Sequence, residues 1–409
     1  MKTSTLKART LTWLTVVVAT LGLVAVAPIA DSGTAAAATA TGTPLVIGNV
    51  GSYTAPNAAN GVAVGKQAIQ AWAKWVNSHG GVNGHPVKLI IKDDKGDQGQ
   101  AIAAVKELVE QDHVAAFVSN QDGSLVSGYG DYLKQQGIPV LGGNLYTLDW
   151  ITNPVLYPQG ITVIQGTQAL VDVAKNNGYK KIGAIACSEA VQCSAGNSLI
   201  KSNAQKAGID FVYNGLVSST APDYTATCLA AKSAGADILA LLIPTADEGN
   251  KIAADCARQN YKPGWDIPGE AIGPGYTKTN AFNNAYNASG VQPWFSKDKS
   301  MKDYQAAMKK YSNINFKTAE EPLLSNDAWV SGLMLQQAVK NSAATGLPTT
   351  QDIINGLAKF DNETLGGLTG GLTFTNNSSK AQYCYFTIKI QNQKFVLPDG
   401  TKPSCVAQS

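Results

Sequence analysis

The sequence predicts an α/β protein made of two successive lobes, each a parallel sheet with helices on both faces. Short apolar runs of strand length, such as AAFV, KIGAIA and DILALLI, alternate with amphipathic stretches of helical period. The stretch Ala71–Asp94 shows the joint between them: a helix end, a glycine turn, then a strand running into acidic residues. There Gly80, Gly81 and Gly84 supply the positive-φ positions that stop a helix and reverse the chain. The rhythm breaks at Tyr157–Gly160 and then restarts, which divides the chain in two.

The elements follow in order. Leu45–Asn49 reads as a strand, and Val62–Ser78 as a helix with Ala68, Ile69, Trp72 and Val76 toward a core. Val87–Ile91, Val114–Val118 and Ile138–Leu141 are strands separated by helices over Gln100–Gln111 and Leu125–Gln136. Alternation at this spacing gives a parallel sheet with right-handed crossovers. The second series has helices at Thr167–Asn177, Gly196–Ala207, Asp223–Ser233 and Ala246–Gln259, and strands at Lys181–Ala186, Asp210–Leu216 and Asp237–Ile243. The last third is less regular, with helices at Lys299–Tyr311, Asn326–Asn341 and Thr350–Lys359. Gly370–Phe374 reads as a strand, and Cys384–Gln391 with Lys394–Leu397 as a hairpin.

Composition narrows the function. Charged residues make up 15% of the 409, which suits an exported chain, and a net charge of +3 with no basic cluster gives no reason to expect a nucleic-acid partner. Lys2, Lys7 and Arg9 precede the apolar run Leu11–Ala27, and Ala36, Ala37 and Ala38 offer a cleavage site. Residues 1–38 therefore read as a secretory signal peptide. A retained anchor is the alternative, since the run is near the spanning minimum of roughly 17 residues. No cysteine lies near the cleavage site, so no lipid anchor is expected.

Six cysteines in an exported chain suggest disulfides, and six allow 15 pairings. Nearest-neighbour pairing gives Cys187–Cys193, Cys228–Cys256 and Cys384–Cys405. Metal binding is the alternative, but no CxxC occurs, and His79, His85 and His113 all lie far from any cysteine in sequence.

Catalytic patterns are missing: GxSxG, HExxH and GxxxxGK[ST] do not occur, and no GxGxxG opens the first helix. Asp93, Asp94 and Asp97 lack the glycine and glutamate of a calcium loop. No catalytic residue, metal or cofactor is expected. In open α/β sheets ligands bind outside the carboxyl ends of the strands. The polar residues there are Ser52, Tyr53, Gln121, Asp122, Ser124, Asn144 and Tyr146 in the first lobe, with Gly123 as the loop-to-helix turn. In the second they are Ser188, Glu189, Thr245 and Glu270. Each taken singly reads equally as a turn or cap residue; together they describe a ligand clamp.

The run NSHGGVNGHPVKLIIKDD, with KELVEQDHVAAFVS, QGIPVLGGN, NNGYKKIGAIA, PDYTATCLAAKSAGADILALL and GLTGGLTF, resembles the Leu/Ile/Val-binding branch of ABC-importer substrate-binding proteins. The resemblance runs from about Leu45 to Leu397. It implies a type I periplasmic-binding-protein fold: two Rossmann-like lobes joined by a three-strand hinge that closes on ligand. Crossovers are expected near Tyr157–Gln159, Asn287–Val291 and Lys380–Gln382. Lobe 1 is then 44–158 with 288–381, and lobe 2 is 159–287 with 382–409.

The resemblance also implies that small hydroxyl residues and backbone amides of lobe 1 hold an α-carboxylate, and that a lobe-2 acid, here Glu270, holds an ammonium. The chain departs from that pattern at SNQDGS and GGN, where Asp122 and Gly123 replace hydroxyls. An aspartate there repels an anionic group, so an amide, polyol, amine or small aromatic ligand becomes as plausible as a branched-chain amino acid. The expected function is that of an extracytoplasmic monomer that hands a small polar ligand to a membrane permease. A sensor of the same fold, working through a separate partner, and a secreted hydrolase are the alternatives.

Overall fold

The computed structural model describes residues 39–55, 61–189, 191–243, 245–375 and 378–407. The stretch read as a signal peptide, 1–38, lies outside the described residues.

The first series runs β1 (Leu45–Gly51), α1 (Gly61–Asn77), β2 (Val87–Asp93), α2 (Gln98–Glu110), β3 (Ala116–Asn120), α3 (Val126–Gln136), β4 (Val140–Gly143), α4 (Asp149–Thr152) and β5 (Leu156–Tyr157). Its strands form one parallel sheet in the order β2-β1-β3-β4-β5. Local chemistry sets the boundaries. Asp97 caps α2 by accepting from the Gln100 amide at 2.8 Å, and Gly137, at φ +67°, ends α3.

The second series runs α5 (Val163–Asn176), β6 (Lys181–Cys187), α6 (Val191–Ala207), β7 (Asp210–Val217), α7 (Thr225–Ser233), β8 (Ile238–Leu242), α8 (Ala246–Arg258), β9 (Gly264–Asp266) and β10 (Tyr286–Ser289). After it come α9 (Lys302–Tyr311), α10 (Leu323–Ser342), α11 (Thr350–Leu357), β11 (Phe374–Thr375), β12 (Ser378–Ser379), β13 (Cys384–Gln391), β14 (Lys394–Val396) and β15 (Ser404–Cys405). The second sheet has the order β14-β13-β10-β9-β8-β6-β7, with β13 and β14 antiparallel to their neighbours. Its stretch β7-β6-β8-β9-β10 repeats the winding of the first sheet, so the molecule carries two equivalent switch points, beside β1 and beside β6.

The chain passes between the sheets three times: after β5, after β10 and before β13. Two of the crossings touch. A Cβ on Gly160 would stand 3.0 Å from the Gly290 Cα, and one on Gly290 would stand 2.7 Å from the Ile161 nitrogen. Glycine at both positions lets the strands pass backbone to backbone.

Helices α9 and α10 return to the first lobe, where α10 packs on α1, α11, β3 and β4. It is buried along most of its length, and bare Gly332 admits the Trp72 ring, which a Cβ would meet at 2.3 Å. Trp72 is fully buried and donates to Gln336 Oε1 at 3.0 Å. Burying a side chain of that size contributes about 3 kcal/mol. This anchor fixes α10 so that its first turns face the gap between the sheets.

All three expected disulfides are present: Cys187–Cys193 ties β6 to α6, Cys228–Cys256 ties α7 to α8, and Cys384–Cys405 ties β13 to β15. The capping box at Thr349 and Asp352 starts α11 as expected. Other expectations need correction. The strand expected at Gly370–Phe374 is not formed, because Gly371 at φ +107° leaves the extended region and Leu372 makes only one bridge, to Glu363. Pairing begins instead at β11. The helix expected from Lys299 opens as a 3₁₀ turn, Lys299–Met301, under the Asp298 side chain, and becomes α-helical at Lys302. The short elements α4, β5 and β10 were not expected from sequence. Among the described residues no helix is long and apolar enough to cross a membrane.

Candidate functional site

The carboxyl ends of β1 and β3 carry a polar network that is largely closed on itself. Asn49 Nδ2 donates to the Val118 and Ser119 carbonyls at 3.0 and 2.6 Å, and Tyr53 OH donates to Asn49 Oδ1 at 2.6 Å. Asn120 accepts from the Val50 amide at 3.1 Å and donates to Tyr129 OH at 3.0 Å. Tyr129 in turn donates to Asp122. Asn144 accepts from the Gly123 amide at 3.0 Å and donates to Gln121 at 3.2 Å; Gln121 donates to Ser119 Oγ at 3.2 Å. Ser52 donates to Asp94 at 2.7 Å. Ser119 holds φ at +58°, uncommon for a residue with a Cβ. Burial pushes the Asp122 carboxyl up to about 7, and its Oδ1 has no hydrogen-bond partner.

In the second lobe, Glu189 is exposed and accepts from Ser218 Oγ at 2.7 Å and the Ser219 amide at 2.8 Å, bonds that hold it down at about 2. Thr245 caps α8, accepting from the Glu248 amide at 3.2 Å, and the Ser188 amide is bonded to the Val217 carbonyl. These residues serve as turns and caps.

The ligand-sized space lies elsewhere, in a cavity of about 840 Å³ lined from both sheets. The first lobe contributes Leu145 and Tyr146 beyond β4 and Leu323 of α10. The second contributes Leu199 of α6, Ile243 beyond β8 and the 268–271 segment, and the crossings add Gly160 and Gly290. The volume suits a small organic molecule. Of the expected ligand contacts, Tyr146 and Glu270 line it; Ser52, Tyr53, Gln121, Asp122, Gly123, Ser124, Asn144, Glu189 and Thr245 do not. The Cys187–Cys193 bridge reaches its wall through Cys193.

Two acids missed from sequence complete the wall: Glu321, two residues before α10, and Asp327, in its second turn. Tyr146 stands beside Glu270 and Gln159 beside Asp327, which is only 6% exposed. Gln159 is itself pinned to Gly143 by two backbone bonds of 3.1 and 2.9 Å. Tyr146 lines the cavity with 36% of its surface accessible.

Electrostatics follow from that packing. Burial, then Glu270 and Glu320, push Glu321 up to about 8. Burial and Glu270 hold Asp327 well above the usual carboxyl range, and burial raises Glu270. Among the described lining residues there is no lysine, arginine or histidine. No group of His, Cys, Asp or Glu among the described residues is arranged to hold a metal ion. The sequence signal for the two missed acids was faint. It consists of an acid pair before Pro322 and a single aspartate inside a helix that is otherwise apolar or small, LLSNDAWVSGLML.

A family profile described as "Periplasmic binding protein" matches residues 44–394. Over 76 residues the chain is 40% identical to an "Amino acid binding protein" of Pseudomonas aeruginosa, covering 19% of this chain and 20% of that one. Over 220 residues it is 27% identical to "Leu/Ile/Val-binding protein homolog 3" of Brucella melitensis, covering 52% and 57%. The chain thus spans a fifth and a little over half of these two relatives. Among solved structures, a branched chain amino acid ABC transporter protein from Thermus thermophilus with bound valine superposes at a TM-score of 0.75. It has 15% identity over 90% of this chain and 98% of that one, a likeness of fold.

Proposed function

Because the chain belongs to the periplasmic binding protein family, we propose that it captures a small ligand between its lobes outside the cytoplasmic membrane and delivers it to an ABC-transporter permease. The observation that carries this reading is the 840 Å³ cavity walled by both sheets and floored by the Gly160 and Gly290 crossings. A ligand held there touches both lobes, so binding and closure are one event. The lobes are 44–158 with 288–381 and 159–287 with 382–409, and the protein acts as an exported monomer once 1–38 is removed. Tyr146 and Glu270 are its contacts from the first and second lobe. The reading is of binding without turnover, supported by relatives that are named as binding proteins.

A thermal-shift screen of amino acids, amides, sugars, amines and aromatic acids tests it, followed by small-angle scattering on each hit. A ligand at a hundredfold excess over Kd adds about 2.7 kcal/mol of stability, and lobe closure lowers the radius of gyration. Stabilisation without compaction, or no hit in any class, would count against the receptor reading.

A further inference from the structure

We propose that the cavity selects a ligand of net positive charge, an ammonium or guanidinium on an apolar body, and that this cationic group bridges the lobes. The inference rests on the receptor reading above and concerns the ligand of that same cavity.

The acids that line the cavity come from both sides. Glu270 belongs to the second lobe, in the segment after β9, while Glu321 and Asp327 stand at the start of α10, which packs on β3 and β4. Tyr146, beyond β4, lines the cavity with them. The charged and titratable groups facing this set are Glu320 and the four themselves, and no cation is among the described lining residues. Asp327 is buried and Glu270 and Glu321 are half-buried. Carboxylates so placed without a counter-charge are costly, and such a set spread over both lobes is neutralised best by a cation that enters the cavity with the ligand.

Other occupants fit less well. A metal ion fails on geometry, since the carboxyls are not grouped to ligate one. An anionic ligand would have one favourable feature, the amino end of α5, where Thr162 makes no cap bond and donates to Gln165 instead. A helix end is worth about half a unit charge, against three carboxyls. A ligand can place a carboxylate near α5 and still needs a net positive charge to balance the cavity. Of the other lining hydroxyls, Thr167 donates to the Ile164 carbonyl at 2.9 Å and Ser289 to the Val291 carbonyl at 2.7 Å, which leaves the exposed Ser198 as a neutral polar contact. The remaining wall, with Leu145, Ile161, Val163, Leu199, Ile243 and Leu323, is apolar and suits a hydrocarbon body.

Proton release follows from the same arrangement. Burial and mutual repulsion keep protons on these acids in the empty cavity, and an entering cation displaces them. Affinity for a permanently charged amine should then rise with pH between 6 and 8, up to tenfold per unit for each proton released.

Isothermal titration calorimetry of the mature protein with putrescine, agmatine, L-arginine, L-leucine and benzoate, in two buffers of different ionisation enthalpy, tests this. The expected result is that at least one net-positive compound binds a hundredfold or more tighter than L-leucine and benzoate, with proton release. Glu270→Gln and Glu321→Gln should each weaken it tenfold or more. If the glutamine variants lose stability, Asp327→Asn serves as the second test, read the same way. Binding of L-leucine or benzoate with lobe compaction, in preference to every cation, overturns the charge assignment and leaves the receptor reading standing. Unchanged cation affinity in the Glu270→Gln/Glu321→Gln double variant also overturns it. Absence of binding and compaction with every compound class overturns both readings.

Discussion

The two polar regions of this protein, the network at the ends of β1 and β3 and the acid-lined cavity, use similar residues for opposite ends. Around Asp122, most polar groups have found a protein partner: Tyr129 for one carboxyl oxygen, Asn144 for the Gly123 amide, Ser119 for Gln121. Around Glu270, Glu321 and Asp327, the groups mainly repel one another, with one tyrosine and one glutamine beside them. The first region is built for stability and shape. The second is held in an arrangement that folding alone does not favour, which is the expected state of a site awaiting a ligand.

The comparison breaks most visibly at Tyr129. Tyr129→Phe removes the donor to Asp122 and the acceptor for Asn120 together, inside fully buried surroundings. It should cost about 2 kcal/mol in denaturant unfolding while leaving ligand affinity within threefold. An affinity loss larger than tenfold at unchanged stability would make this network part of the binding site.

Glu321→Gln should act in the opposite direction and by less. The ordinary carboxyl value is 4.5 and the folded one about 8, so the folded chain holds a proton that the unfolded chain has released. Stability therefore falls as pH rises through that window. Glutamine keeps the shape without the ionisation, so the variant should match the parent at pH 4 and exceed it at pH 8 by about 1–2 kcal/mol. That is less than the roughly 4 kcal/mol of the full shift, because Glu321 is only half-buried and solvent screens it. Urea titrations at the two pH values measure it; a variant less stable at pH 8 would mean that Glu321 is ionised and paired.

Much of the fold was legible in sequence because its strands are buried and short. AFVSN, KIGAIAC and ILALL are apolar runs bounded by turns, and burial on both faces writes itself as continuous hydrophobicity. The β10 segment, YNAS, was not legible, because Asn287 and Ser289 are satisfied by carbonyls of Ile267 and Val291 that local pattern cannot reveal. The site divides the same way. Glu270 was placed by resemblance at IPGEAIG, and Tyr146 by its position after a strand. Ser52, Gln121, Asp122 and Asn144 were reasonable candidates, yet the network that encloses them depends on bonds such as Asn49 to Val118, 69 residues apart. Glu321 and Asp327 reach the cavity only because the Trp72–Gly332 contact seats α10 against the first sheet, and no local signal carries such a contact.

The smallest effect expected is at Glu189, an acid that belongs to neither region. It is fully exposed and held ionised down to about 2 by Ser218 and Ser219. Its bonds contribute above the ordinary carboxyl value and are lost only as pH falls toward 2, so at neutral pH Glu189→Ala removes a solvated local contact. The melting temperature should move by less than about 2 °C. Affinity should stay within twofold, because salt and water screen an exposed charge that lies outside the cavity. A tenfold loss of cation affinity in this variant, erased by 0.5 M salt, would show that the ligand is drawn by the field of the whole second lobe. In that case the position of Glu270, Glu321 and Asp327 in the cavity wall would cease to be the reason for selection, and their charge alone would remain.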